Sequence, residues 1–215
     1  MKIFLSHSRK DEALVNRINA GLGVMDLPPI IYEDLEESVN GPDYQRIKSL
    51  IQSSDVVFLF LTENVANSKW TTYWVNHEVS LASAFNKQLV EFQVEGEEPP
   101  LPIGYCTDVV VVPKNETSQL LQVQKIAKQF DKKSYWPIGA IGGAAIGSIL
   151  GPVGTVLGGI LGAALASDTG QTAVQTLFCK EDRLKYRYWG HIGSLFYCPH
   201  CLKHYIYNGD KDGNE

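Results

Sequence analysis

No aspartate, glutamate, lysine or arginine occurs between Ser134 and Ser167. That gap divides the chain into an α/β-patterned front, residues 1–133, an uncharged glycine-rich middle, 134–167, and an aromatic Cys/His-bearing tail, 168–215. Cysteine is scarce: four residues, unevenly spaced, are too few for a disulfide scaffold. Basic residues are outnumbered, 19 against 24 acidic, for a net charge of −5 and a pI near 5.6. No broad nucleic-acid footprint follows, and no nucleic-acid partner is expected. The opening from Met1 to His7 is too short for a signal-peptide core, and charges follow at once, so a cytoplasmic N-terminus is expected. In that compartment the cysteines read as thiols or metal ligands. A chain of 215 residues suits one domain with a small appendage.

The front alternates strand and helix signals. Ile3-Phe4-Leu5 is a short apolar run, and Leu14, Val15, Ile18 and Leu22 recur at helical spacing. Pro28 to Tyr32 reads as a second strand, and Glu33 to Asn40 as an acidic loop. Gly41-Pro42 opens a helix that Tyr44, Ile47, Lys48 and Ile51 carry to Ser54. Val56 to Leu61 is the central strand. A polar loop over Asn64 to Ser68 precedes a helix from about Trp70 to Phe85. Leu89 to Val94 and Val109 to Val112 are further strands, and Leu120 to Phe130 a closing helix. Strands alternating with helices imply a parallel sheet, here five-stranded, covered on both faces.

Chemistry concentrates in two places. Trp74-Val75-Asn76-His77-Glu78 lies on the helix, with Trp74 and Glu78 four apart on one face. A carboxylate beside a large aromatic sits where its solvation is tunable. His77 is assigned to another face. The strand end Ser6-His7-Ser8-Arg9 offers small polar groups at the carboxyl edge of the sheet, where such folds bind ligands. These features, in this order, resemble a Toll/interleukin-1 receptor (TIR) domain of the bacterial and archaeal type, over residues 1 to about 131. Phe4 to Ser8 looks like its first-strand box, and Asp34 to Gly41 like its BB loop. Ser53 to Val57 resembles the entry to its third strand, and Trp74 to Glu78 its catalytic-helix motif. The resemblance implies a flavodoxin-like fold and cleavage of NAD at the nicotinamide glycosidic bond, with Glu78 as the catalytic carboxylate. It further implies that His7, Ser8, Arg9 and Trp74 line the NAD pocket, gated by the segment from Asp34 to Gly41. Breaking that bond leaves an oxocarbenium-like ribose that a carboxylate can stabilise. Attack by water then gives ADP-ribose; attack by an internal adenine nitrogen or ribose hydroxyl gives a cyclic product.

In the middle segment Gly139, Gly143, Gly147 and Gly151 are spaced by four, and Gly154, Gly158 and Gly162 repeat the spacing. On a helix each set makes a groove that allows close backbone approach. In water so much glycine disfavours helix by roughly 1 kcal/mol per residue. Lipid or tight self-association is therefore expected to hold it, either as one kinked helix or as a hairpin about Gly151-Pro152. Lys125, Lys128, Lys132 and Lys133 before it, and Lys180, Arg183, Lys185 and Arg187 after it, favour a hairpin with both flanks cytoplasmic, attached to the inner face of the membrane.

The tail carries Phe196-Tyr197-Cys198-Pro199-His200-Cys201, a C-x-x-C turn resembling a zinc-ribbon knuckle. Cys179 is the expected third ligand of a structural zinc, and His204 or His191 the fourth. Cys106, before a strand, is expected to be a small buried hydrophobe. The integrated expectation is an NAD-cleaving TIR protein, activated by assembly and acting in antiviral defence. Two rivals stand beside it: a non-enzymatic module recruiting other TIR domains, and a membrane-disrupting effector whose front domain is the sensor.

Overall fold

A computed structural model describes residues 1–32, 43–97, 105–131 and 173–209. The acidic segment from Asp34 to Gly41 and the whole glycine-rich segment 134–167 lie outside the described residues. In order along the chain the elements are β1 (Ile3–Ser6), α1 (Glu12–Gly23), β2 (Ile30–Ile31), α2 (Tyr44–Ser53), β3 (Val56–Phe60), α3 (Glu63–Ala66), α4 (Lys69–Ala84), β4 (Gln88–Val94), β5 (Asp108–Val112) and α5 (Glu116–Phe130). The tail adds β6 (Ala173–Phe178), β7 (Lys185–Gly190), β8 (Leu195–Tyr197) and β9 (His204–Ile206).

The strand period of two separates the core into two layers. Phe4, Val57, Leu59, Leu89 and Val109 point to the side covered by Ile47 and Ile51 of α2 and by Val75, Val79 and Ala82 of α4. Ile3, Leu5, Val56, Phe58, Phe60, Val90 and Val110 point the other way, onto Ile18 and Leu22 of α1 and Val123, Ile126 and Ala127 of α5. Both faces are therefore apolar, as a parallel sheet with crossover helices requires. α1 and α5 approach closely at Gly21, where an added Cβ would stand 2.5 Å from Leu120 Cδ1.

Strand order is β2-β1-β3-β4-β5-β7-β6, with β1 to β5 mutually parallel. The arrangement is the flavodoxin-like α/β fold expected. The sheet, however, has seven strands and not five, because β7 pairs in parallel with the outer side of β5 and β6 returns antiparallel on β7. The tail strands thus continue the front sheet. A charge cluster around a buried carboxylate makes the joint: the half-exposed Arg187 on β7 gives two bonds to Asp108 on β5, Nε to Oδ1 at 2.8 Å and Nη2 to Oδ2 at 2.9 Å. Trp189 Nε1 donates to Oδ1 at 2.8 Å and Thr107 Oγ1 to Oδ2 at 2.9 Å. Asp108 has no solvent exposure, so these four bonds replace its whole hydration shell.

Element limits also moved. The loop read over Asn64 to Ser68 overlaps a short helix, α3, which starts one residue earlier at Glu63. α5 begins at Glu116 and not Leu120, because Asn115 caps it by accepting from Ser118 N at 3.0 Å. α2 starts after Pro42, with Asp43 as cap for Gln45 N and Arg46 N at 3.0 and 3.1 Å.

Removing the guanidinium would leave the Asp108 carboxylate buried with only two neutral donors. Arg187→Met is expected to cost about 3–5 kcal/mol of unfolding free energy, read by chemical denaturation; a cost below about 1 kcal/mol would show that the joint carries little stability.

Candidate functional site

The site grows from the end of β1. Along that strand Phe4 and Ser6 share a face, the one that α4 covers, so the strand ends by pointing a hydroxyl where a hydrophobe would otherwise pack. α4 begins at a Ser68 cap, whose side chain accepts from Thr71 N at 3.2 Å. Its buried positions are Trp74, Val75, Glu78, Val79 and Ala82. Glu78 therefore occupies the middle of an apolar stripe, only 9 % exposed. Ser6 Oγ donates to Glu78 Oε2 at 2.5 Å. Burial pushes the Glu78 carboxyl up to about 7, and the Ser6 hydrogen bond opposes that rise.

Trp74 lies one turn before Glu78 within a group of rings. Its centroid is 4.7 Å from Tyr44, 5.6 Å from Trp70, 5.6 Å from Tyr73 and 5.8 Å from His77. The Tyr44 and Tyr73 hydroxyls are 3.2 Å apart. Trp74 Nε1 is buried without a hydrogen-bond partner. A buried indole N–H without an acceptor carries a desolvation cost that a ligand oxygen would relieve.

A second connection frames the site. Asp11 accepts from Thr62 Oγ1 and Asn64 Nδ2, both at 2.6 Å. It ties the loop after β3 to the loop after β1. Those two strands flank the point at which strand order reverses, since β1 is followed by β2 on one side and β3 lies on the other. Crevices at the carboxyl ends of such strands are where open α/β sheets bind ligands.

A TIR domain family profile matches residues 3–126, more than half of the chain. The chain belongs to the TIR domain family. A search among curated proteins found no match. Among solved structures it is similar to the Clostridium botulinum CMP N-glycosidase BcmB, at 14 % identity over 58 % of this chain and 99 % of that one, with a TM-score of 0.41. It is also similar to the TIR domains of the activated Roq1 resistosome directly recognizing the pathogen effector XopQ, at 10 % identity over 75 % of this chain and 83 % of that one, with a TM-score of 0.38.

Within this TIR domain the expected site residues fall into groups. Glu78 and Trp74 sit one turn apart, and Ser6, which the sequence analysis placed among the strand-end polar groups without a role of its own, holds the carboxylate. A polar residue on the core face of an apolar strand was the signal available. His7 follows in the turn, part-buried, with Nδ1 3.3 Å from the Leu5 carbonyl. Ser8 is buried and caps the 3-10 turn Arg9–Asp11, accepting from Lys10 N at 3.3 Å. Its hydroxyl is therefore engaged by the backbone. Arg9 is exposed. Asp34 and Gly41 lie outside the described residues. His77 does not turn to another face: at i+3 from Trp74 it joins the aromatic group, 4.9 Å from Tyr44. Cys106 is buried as expected and donates to the Asp108 carbonyl at 2.8 Å.

A second buried carboxylate, Glu91 on β4, accepts from Gln93 Nε2 at 2.7 Å, and burial pushes it up to about 7 as well. Gln93 then reaches the tail. Its Nε2 donates to the Tyr197 carbonyl and its Oε1 accepts from Tyr197 N, each at 2.9 Å. Beyond Tyr197 the sulfurs of Cys179, Cys198 and Cys201 come within 4.8 Å of one another. The two histidines expected beside them do not. His204 is exposed on β9, with its ring 6.1 Å from Tyr197, and His191 is exposed, 3.6 Å from Glu95. The histidine buried there is His200, with neither ring nitrogen hydrogen-bonded. Among the described residues no helix is long and apolar enough to cross a membrane; the segment 134–167 is not among them.

Because Glu78 ionises near 7 when folded and near 4.5 otherwise, the folded protein holds an extra proton between those values. This contribution to stability is complete below about 4.5 and is lost as pH rises through about 7. Glu78→Gln is expected to weaken the fall in stability between pH 5 and pH 8 by on the order of 2–3 kcal/mol. Denaturant unfolding at the two pH values reads it, and a fall equal to the parent's would mean that Glu78 is not held above its usual range.

Proposed function

We propose that this TIR domain cleaves the N-glycosidic bond between nicotinamide and ribose in NAD, with Glu78 as the carboxylate that stabilises the ribosyl cation. The observation that carries the reading is Glu78 itself. An ionisable carboxylate interrupts an apolar helix stripe at the strand switch point, held by a single hydroxyl, one turn from a tryptophan with an unpartnered indole N–H. Asp108, by contrast, is matched by four donors.

The chemistry needs little else. The nicotinamide leaves as a neutral molecule from a positively charged ring nitrogen, so no general acid is required. Positive charge develops at the ribose carbon and ring oxygen, and the Glu78 anion in a water-poor site is strongest there. Ser6 holds Oε2 in place, and Oε1 stays available to the ribose hydroxyls. Trp74 packs beside the bound nucleotide and offers Nε1 to one of its oxygens. His7 and Arg9 follow directly on Ser6 and lie on the approach to the site, where Arg9 suits a diphosphate. Asp34 to Gly41 gates the site, ordered by a neighbouring subunit, and residues 134–167 gather the subunits by self-association or on a membrane. Activity therefore depends on assembly, as suits a defence protein that consumes NAD or makes a cyclic nucleotide signal.

Chromatography of NAD incubated with the assembled full chain tests the reading. Glu78→Gln keeps the shape of the side chain and removes its charge, and should lower turnover by roughly 10²–10³. The parental rate should fall as pH falls through about 7, because only the ionised carboxylate stabilises a cation. Parental turnover in Glu78→Gln would overturn the assignment. A rate that rises as pH falls through that range would overturn it equally.

A further inference from the structure

Outside the proposed NAD site, the described residues gather three thiols in the tail. They come from two separate turns. Cys179 follows the strand β6 and opens the tight turn to β7, in which its N–H donates to the Leu184 carbonyl at 2.9 Å and its carbonyl accepts from Arg183 N at 3.0 Å. Cys198 and Cys201 belong to the turn between β8 and β9. That turn is closed by Cys198 N donating to the Lys203 carbonyl and Leu202 N to the Cys198 carbonyl, both at 3.0 Å. Leu202 takes a left-handed conformation, with φ of 58°, to complete it.

All three cysteines are free. Two are buried and the third is half-buried. A pair of thiols so placed would suit a disulfide, but a third at equal range has no covalent partner. Sulfurs on one tetrahedral zinc at ~2.3 Å each stand about 3.8 Å apart. The observed limit of 4.8 Å is within about 1 Å of that spacing.

We propose that Cys179, Cys198 and Cys201 form a three-thiolate site for a soft or borderline divalent ion, zinc first, with the fourth position filled by an oxygen or nitrogen donor other than His204 and His191. Thiolate ligands select zinc over magnesium or calcium, and a buried site of this kind is structural. Binding releases the three thiol protons to solvent, leaves the metal's charge state unchanged and forms three metal–sulfur bonds. The ion would fasten the β8–β9 hairpin to the β6–β7 turn, next to the point at which Gln93 of the TIR sheet holds Tyr197.

The full chain, purified under reducing conditions, is the material for the test. Metal analysis should find about one zinc per chain, and X-ray absorption at the zinc edge should give three sulfurs and one lighter ligand. Cys179→His retains a donor, so its zinc should stay with the sulfur count reduced to two, whereas Cys106→Ser and His204→Ala should match the parent. Less than about a tenth of an equivalent of zinc would overturn the proposal, as would a Cys198–Cys201 disulfide in the protein as purified. A sulfur count of two or four in the parent would overturn the ligand set, and loss of zinc in His204→Ala would restore the histidine excluded here.

Discussion

Among the described residues Asp11, Glu78, Glu91 and Asp108 are buried carboxylates, and the difference in how the last three are compensated organises the molecule. An ionised carboxylate costs several kcal/mol to remove from water unless its lone pairs are matched. Asp108 has four donors, two of them from one guanidinium, and it stays matched because Arg187 arrives on a strand from the far end of the chain. Glu91 has the Gln93 amide and the nearby Cys106 thiol, and burial moves it toward its neutral form. Glu78 has one hydroxyl. The Asp108 cluster is a fastening. Glu78 and Glu91 both keep acceptor capacity that the described residues do not fill, Glu91 Oε2 being buried without a partner, and what sets Glu78 apart is its place at the end of β1, one turn from Trp74.

The front of the fold was legible because its signals are local. Apolar runs such as Val56 to Leu61 read as buried strands, and Leu14, Val15, Ile18 and Leu22 read as the buried face of a helix, without knowledge of what they touch. What escaped was non-local or depended on caps. The first turn of α5 is polar, so periodicity begins only at Leu120, although Asn115 already starts the helix. β7 reads Lys-Tyr-Arg-Tyr-Trp-Gly, with no apolar run, and its place beside β5 depends on a charge pair 79 residues apart in sequence. No local pattern announces such a pairing. Gly190 shows the same dependence: a Cβ there would stand 2.5 Å from Tyr188 Cζ, a constraint visible only once the strand is folded.

The site was half legible for related reasons. The four-residue spacing of Trp74 and Glu78 was enough to place them together, and family membership gives that spacing its meaning. Ser6 was readable in principle, since alternation from Phe4 puts it on the α4 face. His77 was assigned away from the group by attending to its neighbour Glu78 and not to Trp74 three residues before. Ser8 shows that small hydroxyls at strand ends suit both ligands and helix caps: its oxygen accepts from Lys10 N. In the tail the cysteines were legible from C-x-x-C geometry, but a histidine's place on a short hairpin was not: one residue of register decides whether it faces the sulfurs or the solvent.

Register also links the two halves. Ser6 pairs across to Leu59, Leu59 to Glu91, Glu91 to Val109, and Val109 to Tyr188. In a parallel sheet residues so aligned point to one side, so Ser6 and Glu91 stand in one row, two strands apart, roughly 10 Å. From Glu91 the line runs through Gln93 to the Tyr197 backbone. The Gln93 amide spends both protons and its oxygen on these three bonds, so its orientation is fixed from both ends. The tail hairpin is therefore held by the same sheet face that presents Ser6 to Glu78. Each member of that row is buried, and close packing leaves it little room to shift, so the position of Ser6 under Glu78 is set by the same packed row that carries the tail.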